Sequence, residues 1–134
     1  MLVDKVIVVD KVETSSVIIS LRSDRIMHLH ILSKDEFSLK ELKDSLEAYI
    51  QLGKGKKYAN LVTFEEEYIP FSSEAKKFAA SLEANKHTIC DAIVVKSLAM
   101  RLAANVYLKL NKPVVPTRSF NSKEKAIEWL NTFL

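Results

Sequence analysis

The chain has 134 residues, of which 48% are apolar and 28% charged, with a net charge of +3 and one cysteine. A chain this long buries roughly two-thirds of its extended surface on folding, so it needs no metal or disulfide staple, and a lone cysteine excludes an internal disulfide. No apolar run reaches the length of a membrane span, and a small positive charge spread over the chain, with no stripe of basic and aromatic residues, argues against a nucleic-acid partner.

One domain over residues 1–134 is expected. The opening Met1-Leu2-Val3-Asp4-Lys5 lacks the basic region, apolar stretch and cleavage site of a secretory leader, so the expected compartment is the cytoplasm. Lys5 to Asp10 centres on the β-branched run Val6-Ile7-Val8-Val9 and predicts a first strand. Val17 to Leu21 and Ile26 to Leu32 predict a hairpin turning at Arg22-Ser23-Asp24-Arg25. Ser38-Leu39-Lys40-Glu41 has the form of a capping box, and Leu39, Leu42, Leu46, Tyr49 and Ile50 keep to one face of the helix it starts, with Gly53 as the stop. Leu61 to Phe64 predicts a fourth strand. A helix then runs from Ser73 to near Asn85, carrying Ala75, Phe78, Ala79 and Leu82 on one face, with Ser72 or Ser73 as its cap.

The last third reads as a β-α-β-α unit: an apolar run at Ala92 to Val95, a helix from Leu98 to Leu110, a run at Pro113 to Val115, and a closing helix capped by Asn121. Arg101, Asn105 and Lys109 form one polar stripe on the third helix, and apolar residues cover the rest. Such a helix is covered on more than one side, by its own domain or by a second subunit. A homodimer contact through Met100, Tyr107 or Leu108 is therefore expected. Strands first, then strands alternating with helices, predict an α/β fold: a mixed sheet, antiparallel at its beginning and parallel after, covered by about four helices.

Phe71-Ser72-Ser73-Glu74-Ala75, Asp91-Ala92-Ile93-Val94-Val95, Asn111-Lys112-Pro113-Val114 and Ala126-Ile127-Glu128-Trp129-Leu130, in this order of elements, resemble the small bacterial STAS/SpoIIAA-like proteins of uncharacterised function. The resemblance spans nearly the whole chain. It implies a non-enzymatic regulatory or protein-interaction domain, and a regulatory phosphosite at Ser72 or Ser73, where the family's Asp-Ser-Ser-Gly type of motif is replaced by Phe71-Ser72-Ser73-Glu74.

No catalytic set is spaced for use and no cofactor is expected. His28 and His30 share a strand face and could both reach one metal ion, but no third ligand stands near, so two solvated histidines are expected. His87 and Cys90 would point apart on a strand, leaving the thiol buried and inert. Gly53-Lys54-Gly55-Lys56-Lys57 follows a helix and precedes a strand, the reverse of a phosphate loop's setting. Glu65, Glu67 and Tyr68, with Lys96 and Ser97, fall at the C-terminal edge of parallel strands, where α/β proteins bind ligands. The alternative function is accordingly binding of, or catalysis on, a small ligand, lipid or anion, at that edge, with apolar helices as walls.

Overall fold

The computed structural model describes residues 5–134; residues 1–4, which belong to the stretch expected to hold no leader, lie outside the described residues. The elements are β1 (Val8–Glu13), β2 (Val17–Arg22), β3 (Ile26–Ile31), α1 (Leu39–Gly53), β4 (Tyr58–Phe64), α2 (Ser73–Ala79), β5 (Thr88–Val94), α3 (Leu98–Asn111), β6 (Thr117–Phe120) and α4 (Lys123–Asn131). The strands form one sheet in sequence order. β1, β2 and β3 pair antiparallel, and β3 to β6 pair parallel, which is the mixed sheet that the order of elements predicts. No helix among the described residues is long and apolar enough to cross a membrane.

Each parallel pairing needs a crossover, and crossovers are overwhelmingly right-handed, so three made in the same direction fall on one face. α1, α2 and α3 lie side by side there. They cover a core that includes Val17, Ile19, Met27, Phe37, Tyr49, Phe64 and Ile69. α4 follows the last strand and returns over the opposite face, where Ala126 and Leu130 pack on Ala59, Leu61, Cys90, Ala92 and Val94. Alternation along the strands sorts the side chains: Asn60, Val62 and Phe64 of β4 share the phase that faces the three helices, and Ala59 and Leu61 face α4.

Several boundaries differ from the expected ones. β1 begins at Val8 instead of Lys5, because Ile7 exchanges backbone and side-chain hydrogen bonds with Ser23 in place of the ladder. α1 has its capping box at Ser38 and Glu41, but the left-handed residue that ends it is Lys54, not Gly53. Gly53 is required for another reason: a Cβ there would lie 2.8 Å from the Tyr58 ring. α2 stops at Ala79, well short of Asn85. The Ser81 hydroxyl donates to the Phe78 carbonyl, and the Asn85 amide donates to the carbonyls of Ala79 and Ser81, so side chains take the acceptors a longer helix would use.

The final strand is Thr117–Phe120, not Pro113 to Val115. Pro113 and Pro116 carry no N–H for a ladder, and Val114 donates outside the sheet, to the Ala80 carbonyl. The cap of α4 is Ser122, which accepts from the Lys125 N–H, and not Asn121.

Ser72 caps α2 by accepting from the Ala75 N–H at 3.1 Å, and Ser73 is the first helical residue and exposed. Ser72→Ala is predicted to cost about 1 kcal/mol in urea unfolding, and Ser73→Ala under about 0.5 kcal/mol. Equal losses at the two positions would contradict this assignment.

Candidate functional site

Between α1, α2 and α3 and the sheet face beneath them lies a cavity of ≈ 590 Å³. Its size falls within the range of sites for small molecules, roughly 300–1,000 Å³. The walls are apolar: Phe37, Phe64, Phe71 and Phe78 contribute aromatic surface, and Leu29, Val62 and Ile93 rise from the sheet. α2 is only seven residues long, against 15 in α1 and 14 in α3, so the middle of the helical layer leaves the sheet partly uncovered.

A polar floor interrupts these walls. The Tyr49 hydroxyl donates to Asn60 Oδ1 at 2.6 Å and lies 3.2 Å from the His87 carbonyl. Asn60 Nδ2 donates to Asp91 Oδ1 at 2.9 Å and reaches Thr88 Oγ1 at 3.3 Å. Thr88 and Asp91 would point to opposite faces of a regular strand. They share this face because Tyr58 pairs with Thr88 and Ala59 with Cys90, which makes Ile89 an extra residue that reverses the alternation.

Asp91 is half-buried, and its Oδ2 has no hydrogen-bond partner among the described residues. The surface that Asp91 retains is cavity wall. Burial pushes its carboxyl up to about 6, against a smaller opposing effect of the Asn60 bond. Burial first, and the Asp91 charge second, raise both Tyr49 and Tyr107 well above the usual phenol range. That is the opposite of an activated nucleophile.

The cavity accounts for much of the apolar excess on α3. Ala99, Leu102, Ala103, Val106 and Tyr107 line it, and Met100 and Ala104 are buried. Of the residues expected at a dimer contact, Met100 thus faces inward, Tyr107 borders the cavity and Leu108 is half-buried. The polar stripe of Arg101, Asn105 and Lys109 is not alone in facing water: Leu98, Leu102, Val106 and Leu110 form a row that is 51% to 74% exposed.

The expected ligand edge is assembled differently from a binding site. Ser97 caps α3 and donates to the Glu67 carbonyl at 2.7 Å, tying the two loops together. Glu65 accepts from His30 Nε2 at 2.8 Å, a bond that holds its carboxyl below the ordinary value. Lys96 is exposed. Tyr68 alone of the five lines the cavity.

His28 and His30 lie on the other sheet face, both 2.7 Å from Thr63 Oγ1. With Glu65 accepting from His30, the Thr63 hydroxyl can donate to one ring and accept from the other, so every group in the chain is satisfied. Burial, then the positive charge of Lys123, lowers His28 to about 4. No group of three or more metal-ligating side chains occurs among the described residues. Cys90 packs beneath α4, where burial, with the Asp91 charge, raises its thiol to about 11.

Asn60, Asp91 and Tyr49 did not stand out in the sequence as a site. Their signal was phase: Asn60 keeps step with Val62 and Phe64, and Asp91 with Ile93, so both are polar residues on the helix-facing side of otherwise apolar runs.

A family model described as a domain of unknown function (DUF7793) matches residues 19–134. The chain belongs to the DUF7793 family. No curated protein matches it. The DUF7793 chain is similar in structure to an uncharacterized protein from the DUF3478 family with a SpoIIAA-like fold, from Shewanella loihica PV-4. The TM-score is 0.55 and the identity 11%, covering 97% of this chain and 98% of that one. At that identity the likeness is one of fold, and the fold is SpoIIAA-like α/β.

The Asp91 shift has a sign that can be checked. Folded Asp91 holds its proton up to about 6, and the unfolded chain releases it near the ordinary 3.8, so stability falls as pH rises across that window. His28, whose folded value of about 4 lies below the ordinary 6.5, slopes the other way over an overlapping range, so the comparison must be between variants. Asp91→Asn keeps an oxygen for Asn60 and removes the charge. Its Tm should exceed that of the wild type above about pH 6, with the gap closing toward about pH 4. A carboxylate that the fold depends on would give a variant less stable than the wild type at neutral pH.

Proposed function

We propose that this protein binds a small, mainly apolar ligand in the cavity between the sheet and α1, α2 and α3. The observation that carries this reading is the combination of apolar walls with a few converging polar groups, a pattern characteristic of small-molecule sites. Holding the Asp91 carboxyl beneath an apolar helical layer lowers stability unless something uses it. The reading assigns no catalysis. The cavity holds one carboxyl beside phenols made less acidic by their setting, and among the described residues no hydroxyl or thiol donates to that carboxyl as an activated nucleophile would.

A second reading, a regulatory domain that self-associates, draws on the exposed row Leu98, Leu102, Val106 and Leu110. The partner there would be a second copy meeting the same surface about a two-fold axis. Ser73, exposed at the start of α2, would be the accessible one of the two candidate phosphosites. Both depend on surface residues, although Leu102 and Val106 of the row also border the cavity.

Ala103→Phe separates the two. Ala103 lines the cavity from α3, so a phenyl ring there fills part of the space. Under the binding reading octanol raises the Tm of the wild type in a saturable manner and leaves Ala103→Phe unmoved, while the variant itself is as stable as the wild type or more so. Equal octanol effects on both proteins, or none on either, would count against the cavity as a site. Under the self-association reading the same variant keeps its dimer.

A further inference from the structure

The charges in the cavity wall point to a particular kind of guest. Among the described residues, Asp91 and Lys76 are the only charged ones in its lining. Lys76 belongs to the short α2 and is half-exposed, so its ammonium can reach water. Asp91 cannot. It stands on the interior strand β5, between β4 and β6, and among the described residues no cationic side chain acts on it.

The groups facing Asp91 are neutral from every side. β4 supplies Asn60, whose amide is committed to Oδ1. α1 supplies Tyr49, whose hydroxyl proton goes to Asn60 at 2.6 Å. β5 itself adds Thr88, bonded to the same Asn60 amide, and β6 adds Thr117, the register partner of Asp91, whose hydroxyl donates to the Val115 carbonyl. α3 supplies Tyr107, whose hydroxyl makes no hydrogen bond to the described residues. What remains open at this end of the cavity is therefore one carboxylate oxygen and one phenol oxygen. No buried side-chain polar atom among the described residues is left without a partner, so an oxygen lacking a protein donor is one that meets cavity space.

Resting on the binding reading above, we propose that the ligand carries a basic amine, with its ammonium docked on Asp91 Oδ2 and its apolar body held between α1, α2 and α3. An ammonium brings three donors and a positive charge. One donor meets Asp91 Oδ2 and a second can meet the Tyr107 hydroxyl oxygen, and the charge compensates a carboxylate that the protein leaves unpaired. The rings of Tyr49 and Tyr107 offer further attraction to a cation that has lost its water. The competing chemistries fit less well. A ligand carboxylate in that place would meet a like charge. An alcohol could donate one hydrogen bond but would leave the charge uncompensated in an apolar setting. The same isolation is what raises the Asp91 carboxyl, and an ammonium beside it would bring the carboxyl back down.

The test compares octylamine, octanol and octanoate, which share a tail and differ in their ends, by calorimetric titration of the whole chain. Octylamine should bind about tenfold more tightly than octanol, and octanoate most weakly. In Asp91→Asn the amine should fall to the level of octanol, with octanol itself little changed. In the wild type, acidifying through the Asp91 titration should erase the amine's advantage without the need for a variant. An amine that binds no better than octanol, or an advantage that survives both Asp91→Asn and acidification, overturns the amine while leaving the cavity reading intact. If none of the three binds, the cavity reading falls and this proposal falls with it.

Discussion

Three parallel crossovers return over one face of this sheet, and the middle one has seven helical residues with which to do it. Everything distinctive about the molecule follows from that shortage. A helix of full length would lay its apolar stripe over the sheet, and here the helix ends at Ala79 and turn residues Ala84 and Asn85 border the cavity instead. Ser81 and Asn85 impose the early stop by taking the carbonyls that would continue α2. The side chains of α1 and α3 that flank the gap then become walls, and the residues of β4 and β5 beneath it become a floor.

The floor is polar by construction. An extra residue at Ile89 brings Thr88 onto the face already occupied by Asp91, and Asn60 of the neighbouring strand bonds to both. A regular strand would have sent Thr88 toward α4, among Ala126 and Leu130. Bulges of this kind re-aim side chains, and here the re-aimed group completes a network that orients Asn60 toward the acid. Compare the other polar chain of the molecule. His28, Thr63, His30 and Glu65 satisfy one another and border solvent, so they read as a closed structural network, whereas the chain from Tyr49 through Asn60 ends on an open oxygen.

What could be read from the sequence was the part that local chemistry dictates. The capping box at Ser38 and Glu41, the hairpin around Arg22 to Arg25 and the order of strands and helices depend on short-range periodicity, and the structure has them. Helix ends shifted by local bonds, at Lys54, Ala79 and Ser122, and the larger differences lie where a distant partner decides. The run Pro113 to Val115 looks more like a strand than Thr117–Phe120 does, but pairing with β5 begins at Thr117, and the prolines keep the earlier run out of the ladder. The apolar surplus of α3 was visible, yet its meaning was ambiguous, because a cavity wall, a core contact and an exposed row have the same composition. Ala103, Ala104 and Leu110 turned out to be one of each. Asn60 and Asp91 were hidden for a related reason. A polar residue in phase with a buried strand face gains meaning only when the space above it is known to be empty.

The account stands on Asp91 being an acid held under an apolar roof with one oxygen unanswered. Carbon-13 NMR titration of the free protein, labelled at its aspartate carboxyls and assigned with Asp91→Asn, measures this directly. A titration midpoint at about 6 is the predicted result. A midpoint at the ordinary 3.8 would place the carboxyl in water or beside a cation, and the cavity would lose the feature that makes it a site.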